Sequence, residues 1–250
     1  MYRQTFLTLV AVCVMSVVGT ATASAYTNPI LENAKGEHVT KLKFTGHDQD
    51  GGGVALENKA LGDNGVCNSE EGTGELSTTG TGSAAKTSGT ATFTFKGCKE
   101  TQELSRCETG ETSGEMVYKT SLSLVWLGKE SEERLGWLAA IAPESKKPGN
   151  GEGGKLKFTC AGKNGIKNEL EGGFVATPGG WGLGETTRTQ GSIEARISEF
   201  PKQEFTKYTE EGVEQESTFW SKLQTFAFEP AATEFEQFMM LSEAVKIVKS

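Results

Sequence analysis

Short runs in which apolar and polar residues alternate constrain the fold of this chain more than any other feature. The run TATFTF places Phe93 and Phe95 on one face, and KLKFTC places Leu156, Phe158 and Cys160 on one face. A third run, SLSLVWL, aligns Leu122, Leu124 and Trp126. The chain also has 32 glycines and only 6 prolines. Alternation with a period of two is typical of antiparallel strands that have one buried face and one wet face.

Turn signals between these runs predict how the strands connect. Residues 116–142 indicate a long hairpin that turns at GKESEER, and GDNG at 62–65 indicates another hairpin turn. A single sheet would leave its apolar face in water, so we predict an all-β fold. The expected architecture is an antiparallel β-sandwich or barrel with long hairpins and little helix.

The last twenty residues, 231–250, carry conflicting signals. Thr233 with Glu236 has the spacing of a helix capping box, whereas AVKIVK alternates like a strand. We predict a final strand that follows a loop or a short helix.

The amino-terminal segment has the layout of a secretory signal peptide. A basic start precedes an apolar run over residues 6–18, and the small residues ASA form a cleavage site after Ala25. The apolar run is shorter than the roughly 20 residues that span a bilayer. We therefore predict that residues 1–25 are removed and that the mature protein begins at Tyr26. Residues 26–250 are expected to form a single β-rich domain, secreted into the medium or the cell envelope and not integral to the membrane.

The charge balance narrows the choice of partners. The chain has a net charge of −8, and removing the signal peptide, whose one charged residue is Arg3, changes it to −9. Nucleic acids and anionic membranes require clustered Lys and Arg, so we predict no nucleic-acid partner. The partners expected of an exported acidic β protein are a cell-wall polymer, a polysaccharide or another protein.

No motif indicates a metal or a cofactor. His38 and His47 are nine residues apart without a third ligand nearby, so surface histidines are the better interpretation. Asp48 and Asp50 have the spacing of a calcium loop, but the remaining ligands are missing, so HDQDGGG indicates an ordinary turn. The loop at 149–155 lacks the Ser or Thr and the helix of a phosphate-binding loop. We predict no metal, no cofactor and no catalytic residue.

The aromatic residues offer one candidate contact surface. Trp126 and Trp137 lie in apolar strands and are expected in the core. Trp181 lies among glycines in TPGGWGLGE, where an exposed indole could stack on a sugar or enter a protein interface. The alternative is an indole that folds back over the edge of the sheet. We expect a non-enzymatic binding protein with Trp181 in its contact patch. The alternative is an exported, glycosidase-like hydrolase that uses Glu carboxylates, although no pair can be chosen from the sequence.

Four cysteines remain after the signal peptide, and an even number in an exported chain predicts disulfides. If the alternation of FTFKGC holds to its end, Cys98 points outward, whereas Cys160 points inward. These two cysteines should therefore not bond each other. The predicted pairs are Cys98–Cys107, a staple across a short polar loop, and Cys67–Cys160, a buried bridge between distant strands.

A resemblance adds to this interpretation. The order Cys67, GELSTTGTG, ATFTFKGC, a further Cys, SGEMVYKTSLSLVWLGKESEERLGWLAAIAPES and KLKFTC resembles a group of uncharacterised secreted, Gly/Thr-rich β proteins. These proteins come from high-GC Gram-positive soil bacteria, and the resemblance covers roughly residues 40–175. It implies export and a β-rich body, and it implies neither an activity nor catalytic residues.

Overall fold

The structure is a computed structural model, and it describes ten segments of the chain. These segments are 26–48, 54–58, 63–100, 106–109, 112–141, 155–160, 166–184, 186–199, 202–223 and 229–250. Three sequence-based predictions fall wholly or partly outside the described residues. They concern the signal peptide at 1–25, Asp50 of the candidate calcium turn, and residues 149–154 of the glycine-rich loop.

The described residues form strands connected by turns, with two short 3-10 turns at Gly82–Ala84 and Glu130–Glu132. The strands, in chain order, are β1 (Pro29–Asn33), β2 (Leu42–Asp48), β3 (Val54–Asn58), β4 (Asp63–Cys67), β5 (Ser69–Thr79), β6 (Lys86–Lys96), β7 (Lys99–Glu100), β8 (Cys107–Glu108), β9 (Glu115–Leu127), β10 (Leu135–Ile141), β11 (Lys155–Cys160), β12 (Ile166–Gly179), β13 (Arg188–Ala195), β14 (Ile197–Glu199), β15 (Lys202–Gln203), β16 (Lys207–Glu210), β17 (Val213–Glu216), β18 (Phe219–Leu223) and β19 (Glu229–Lys249).

Eight of these strands close into an antiparallel barrel, which we call the main barrel. Each strand pairs with the next in the order β2–β5–β6–β9–β10–β12–β13–β19, and β19 pairs with β2 to complete the circle. The all-β prediction is confirmed, and the closed circle decides for a barrel over a sandwich. Closure leaves no free edge in this part of the sheet.

The interior of the main barrel is built from the alternating runs. Trp126, Trp137 and Phe93 are buried with an exposed fraction of 1% or less, as the period-two pattern predicts. The predicted hairpin at 116–142 is confirmed, because β9 and β10 pair from Trp126 opposite Leu135 onward. One inward-facing side per strand therefore fills a single core.

Two local predictions hold only in part. The hairpin indicated by GDNG is present, since β3 and β4 pair with Asn58 opposite Asp63, but residues 63–65 already belong to β4 and the connection lies at 59–62, outside the described residues. The predicted final strand is confirmed, but no loop or short helix precedes it within 231–250, since Thr233 and Glu236 of the expected capping box lie within β19, one continuous strand from Glu229 to Lys249. The inward residues Phe235, Gln237 and Met239 fit the barrel with a period of two, and this tertiary packing overrides the helical spacing.

Six shorter strands form a second closed set of pairings next to the main barrel, which we call the stapled ring. It consists of β3, β4, β7, β8, β11 and β18, with the amino-terminal parts of β12 and β19. The order is β19–β3–β4–β7–β8–β11–β12–β18–β19, and a bridge between Lys99 and Arg106 connects β7 to the start of β8. Strand β12 passes from ring to barrel at Gly172, whose φ of 93° few other residues adopt.

Both disulfides lie in the stapled ring, and their pairing corrects the prediction. Cys67 bonds Cys98, and Cys107 bonds Cys160. The predicted parity of Cys98 was wrong because Gly97, with a φ of 67°, ends the alternation of β6 and turns Cys98 into the interior. Cys107 and Cys160 face each other directly in the β8–β11 register. Both bonds therefore join neighbouring strands.

Candidate functional site

The main barrel contains a buried carboxyl group that sequence analysis did not single out. Glu70, the second residue of β5, is 1% exposed, and neither of its carboxyl oxygens has a hydrogen-bond partner among the described residues. Burial, and to a smaller extent the negative charge of Asp48, together raise the pKa of Glu70 to about 8. The carboxyl group is therefore protonated at neutral pH. The sequence could have predicted that Glu70 points inward, because it lies six residues, an even number, before the inward-facing Leu76 on β5.

An amide group occupies the interior close to Glu70. Gln237 of β19 is fully buried, and its side chain extends over Gly46 of β2 and Gly72 of β5. A Cβ atom on either glycine would overlap the Gln237 side chain, so the absence of side chains there makes room for the amide. Neither polar atom of the Gln237 amide has a partner in the part of the chain that the structure describes.

Aromatic rings fill the barrel around these groups. The ring of Phe235 lies 5.5–6.5 Å from the rings of Phe93, Phe95 and Phe174. The hydroxyl of Tyr118 is buried and unpartnered among the described residues, and burial raises its pKa well above the ordinary value. Because Glu70 is only 1% exposed, a polymeric substrate does not reach its carboxyl group in this structure.

Trp181 lies in the loop between β12 and β13, at the edge of the barrel interior. Its indole is half-buried and packs edge-on against Trp137, with ring centroids 6.4 Å apart. The indole N–H donates to the backbone oxygen of Gln190 at 2.7 Å, and the ring covers Gly191. The indole thus folds over the edge of the sheet and still remains partly exposed. Each of the two interpretations made from the sequence, an exposed contact residue and an indole packed on the sheet, is therefore correct in part.

A shallow pocket opens beside this indole, between the 181–188 loop and the end of β19. We call this surface the Trp181 patch. Buried Val245 and Ile247 form its floor, and the loop is held there by a hydrogen bond from the Gly184 N–H to the Ile247 oxygen at 2.8 Å. The remaining lining residues are Trp181, Gly182, Thr186, Arg188 and Lys246. Arg188 and Thr186 are exposed, and the Lys246 ammonium lies 3.3 Å from the carboxylate of Glu32.

The other candidate residues are not brought together. His47 is exposed on β2, with its ring 5.6 Å from that of Phe238, and His38 is half-buried before β2. Asp48 ends β2 near Glu70. The described residues contain no group of three or more His, Cys, Asp or Glu side chains that could hold a metal ion. They also contain no helix that is long and apolar enough to cross a membrane.

Comparison with known proteins finds no matching protein family, no matching curated protein and no matching solved structure.

Proposed function

We propose that this protein is exported and acts outside the cell as a non-catalytic binding protein, with the Trp181 patch as its contact surface. The signal-peptide layout of residues 1–25 and the resemblance to exported Gly/Thr-rich β proteins support export. The two disulfides support it too, since such bonds persist mainly in oxidising compartments. Trp181 is the residue on which the binding proposal depends.

The observation that carries the proposal is a half-exposed indole beside a pocket. Because the indole N–H already donates to Gln190, the exposed part of the ring offers an apolar surface and no free donor. Such a surface stacks on a sugar ring or on an apolar side chain. The pocket is shallow, so a ligand lies across its mouth and is not enclosed.

The rim of the patch favours an acidic polysaccharide over a neutral one. Arg188 and Lys246 both line the pocket, and Thr186 adds a hydroxyl group. A guanidinium binds carboxylates and phosphates through paired hydrogen bonds, and its five donors can serve more than one partner. The Lys246 ammonium lies near the Glu32 carboxylate, and the paired donors of the Arg188 guanidinium make Arg188 the larger contributor to anion recognition. A linear sugar chain that bears carboxylate or phosphate groups fits an aromatic platform with a basic rim.

Co-sedimentation of the purified protein with acidic and neutral cell-wall polysaccharides tests this proposal. We expect binding to the acidic fraction, and a loss of about tenfold in affinity in a Trp181→Ala variant. Trp220→Ala is the matched control, because Trp220 is a half-buried indole of the stapled ring. Thermal unfolding of both variants separates lost binding from lost folding, since Trp181 also packs on Trp137. Equal binding by the Trp181 and Trp220 variants, or binding only to a protein partner, contradicts the proposal.

A second candidate is an exported hydrolase, which one observation favours. The pKa of Glu70, which burial raises to about 8, is of the kind expected of a catalytic general acid. The burial of Glu70 speaks against it. A panel of glycoside substrates tested with the parent protein and a Glu70→Gln variant decides the question, since turnover that disappears with Glu70→Gln establishes an enzyme.

A further inference from the structure

The first residues after the predicted cleavage site are built into the fold. The N–H of Thr27 donates to Oε1 of Glu130 at 3.0 Å, and the Thr27 hydroxyl donates to the same oxygen at 2.6 Å. The indole N–H of Trp126 donates to the Thr27 backbone oxygen, also at 2.6 Å. Residue 27 is thus fixed to the 3-10 turn Glu130–Glu132 and to the end of β9.

The neighbouring residues are held equally well. Buried Asn28 donates from its amide to the backbone oxygens of Ser83 and Ala85 at 3.2 and 3.0 Å. Its side-chain oxygen accepts from the N–H of Glu211 at 3.0 Å. Tyr26 lies over Gly212, in the turn between β16 and β17. Four separate elements therefore hold the segment 26–28: the two 3-10 turns, the end of β9 and the β16–β17 turn.

We propose that the amino group freed at Tyr26 by signal-peptide cleavage forms an ion pair with Glu130, so that processing completes the anchor of the mature chain. Consecutive backbone nitrogens lie within a few ångström of each other, and Thr27 already directs its N–H at the Glu130 carboxylate. Among the described residues no Lys or Arg forms a salt bridge with Glu130, so this carboxylate is held by neutral donors alone.

The local charges suit a new ammonium group. Glu210 and Glu211 lie on the hairpin against which Tyr26 packs, and Lys86 of β6 pairs with Glu211 at 3.0 Å. Glu130, Glu210 and Glu211 thus lie around the first residue of the mature chain, and of the nearby lysines Lys86 pairs with Glu211 and Lys249 with Glu133. In the precursor, the nitrogen of Tyr26 is a neutral amide and carries no charge, so this ion pair exists only after cleavage. The inference rests on the proposed export and not on the Trp181 patch.

Selective acetylation of the exported protein tests this role. The α-amino group, with an ordinary pKa near 8, is acetylated near neutral pH in preference to lysines, whose pKa is about 10.4. We expect acetylation to lower the melting temperature by about 2–4 °C, the size of one partly exposed ion pair in a chain of this length. A Glu130→Gln variant is the matched control, and acetylation should leave its melting temperature unchanged.

Three results would overturn the inference. The first is an unchanged melting temperature on acetylation of the parent protein. The second is an equal decrease in the parent and the Glu130→Gln variant, which would show a nonspecific effect of the modification. The third is an intact mass of the exported protein that does not begin at Tyr26. None of these results tests polysaccharide binding. Conversely, a lack of binding at the Trp181 patch would not contradict the ion pair between Tyr26 and Glu130.

Discussion

The main barrel and the stapled ring share two long strands but are held together by different means. Strands of the main barrel are seven or more residues long, whereas the ring's own six strands have two to six residues. Long strands give the barrel many ladder hydrogen bonds and a core of Trp, Phe and Leu side chains. The short strands of the ring form fewer ladder hydrogen bonds and bury less apolar surface. Both disulfides occur in this ring.

The difference shows where covalent bonds replace burial. The Cys67–Cys98 bond joins β4 to β7, and the Cys107–Cys160 bond joins β8 to β11. Between the two bonds, the Cys107 N–H donates to the Cys98 oxygen at 2.9 Å, so the four short strands form one connected series. Small structural units that bury too little apolar surface are commonly stabilised by disulfides. The stapled ring follows the same rule.

The largest expected effect concerns Glu70, because a buried carboxyl group without a hydrogen-bond partner destabilises the barrel once it loses its proton. An unfolded Glu loses its proton near pH 4.5, whereas folded Glu70 keeps its proton to about pH 8. The folded state binds more protons in this window, so the free energy of unfolding falls as pH rises from 4.5 to 8. A Glu70→Gln variant should therefore be more stable than the parent by about 5 kcal/mol above pH 8, and about equal to it near pH 4.

Urea unfolding at pH 4, 7 and 9 measures this difference. Glu71→Gln is the matched control, because Glu71 is exposed on the outer face of the same strand. A difference between the Glu70 variant and the parent that does not grow with pH would contradict the proposed burial of a protonated carboxyl group.

The second expected effect is on the stapled ring. The two disulfides close loops with sequence separations of 31 and 53 residues, which the chain-entropy relation converts to about 3.7 and about 4.2 kcal/mol. Replacing both cysteines of either bridge by Ala should cost about 4 kcal/mol. Cys107→Ala and Cys160→Ala remove the same bridge, so these two single variants should lose the same stability.

Amide hydrogen exchange shows which strands lose stability when a disulfide is removed. We expect faster exchange in β4, β7, β8 and β11 and unchanged protection in the β5–β6 ladder of the main barrel. Equal loss of protection in both regions would mean that ring and barrel unfold as one unit. Non-reducing peptide mapping provides the control for the pairing itself.

The contrast between barrel and ring also explains what the sequence could predict. Alternation identified the inward faces of β6 and β9 because long strands in a barrel keep a strict period of two, and it also held in the short ring strand β11. It failed at Cys98, where one glycine with positive φ reverses the parity, and the turn signal GDNG located its hairpin only approximately, because residues 63–65 already belong to β4. Pairings among short strands depend on which distant segments meet, and no local pattern contains that information.

The site was predictable to a smaller extent. Trp181 stood out because glycines surround it, yet its bond to Gln190 and its pocket depend on how the loop meets β19. Glu70 and Gln237 escaped notice because a polar residue at an inward position looks like an ordinary surface residue in a Glu-rich chain. Only the closed circle of strands shows that both side chains have no way out to solvent.

The third expected effect is within the main barrel, where Gln237 and its two facing glycines fit together. A Gly72→Ala variant places a Cβ atom inside the Gln237 amide and should cost about 3 kcal/mol through overpacking. Replacing Gln237 by Ala in the same chain removes the clash, so the double variant should be more stable than Gly72→Ala alone. Urea unfolding of the two single variants and the double variant measures this coupling. Additive costs would show that the two residues do not touch.

The smallest expected effect concerns the end of the barrel that β1 covers, which hydrogen bonds close without any disulfide. The Thr87 hydroxyl accepts from the Leu31 N–H at 2.9 Å and lies 2.7 Å from the Thr78 hydroxyl, which donates to the Leu31 oxygen at 2.9 Å. Thr87→Val keeps the shape of the side chain but leaves the buried N–H of Leu31 without this acceptor, which should lower the free energy of unfolding by about 2 kcal/mol. The control Thr90→Val changes an exposed residue of β6 and should stay within about 0.5 kcal/mol of the parent. Because this end has no covalent staple, the cost of Thr87→Val should be the same in oxidised and reduced protein. A cost that grows on reduction would mean that the stapled ring supports both ends of the barrel.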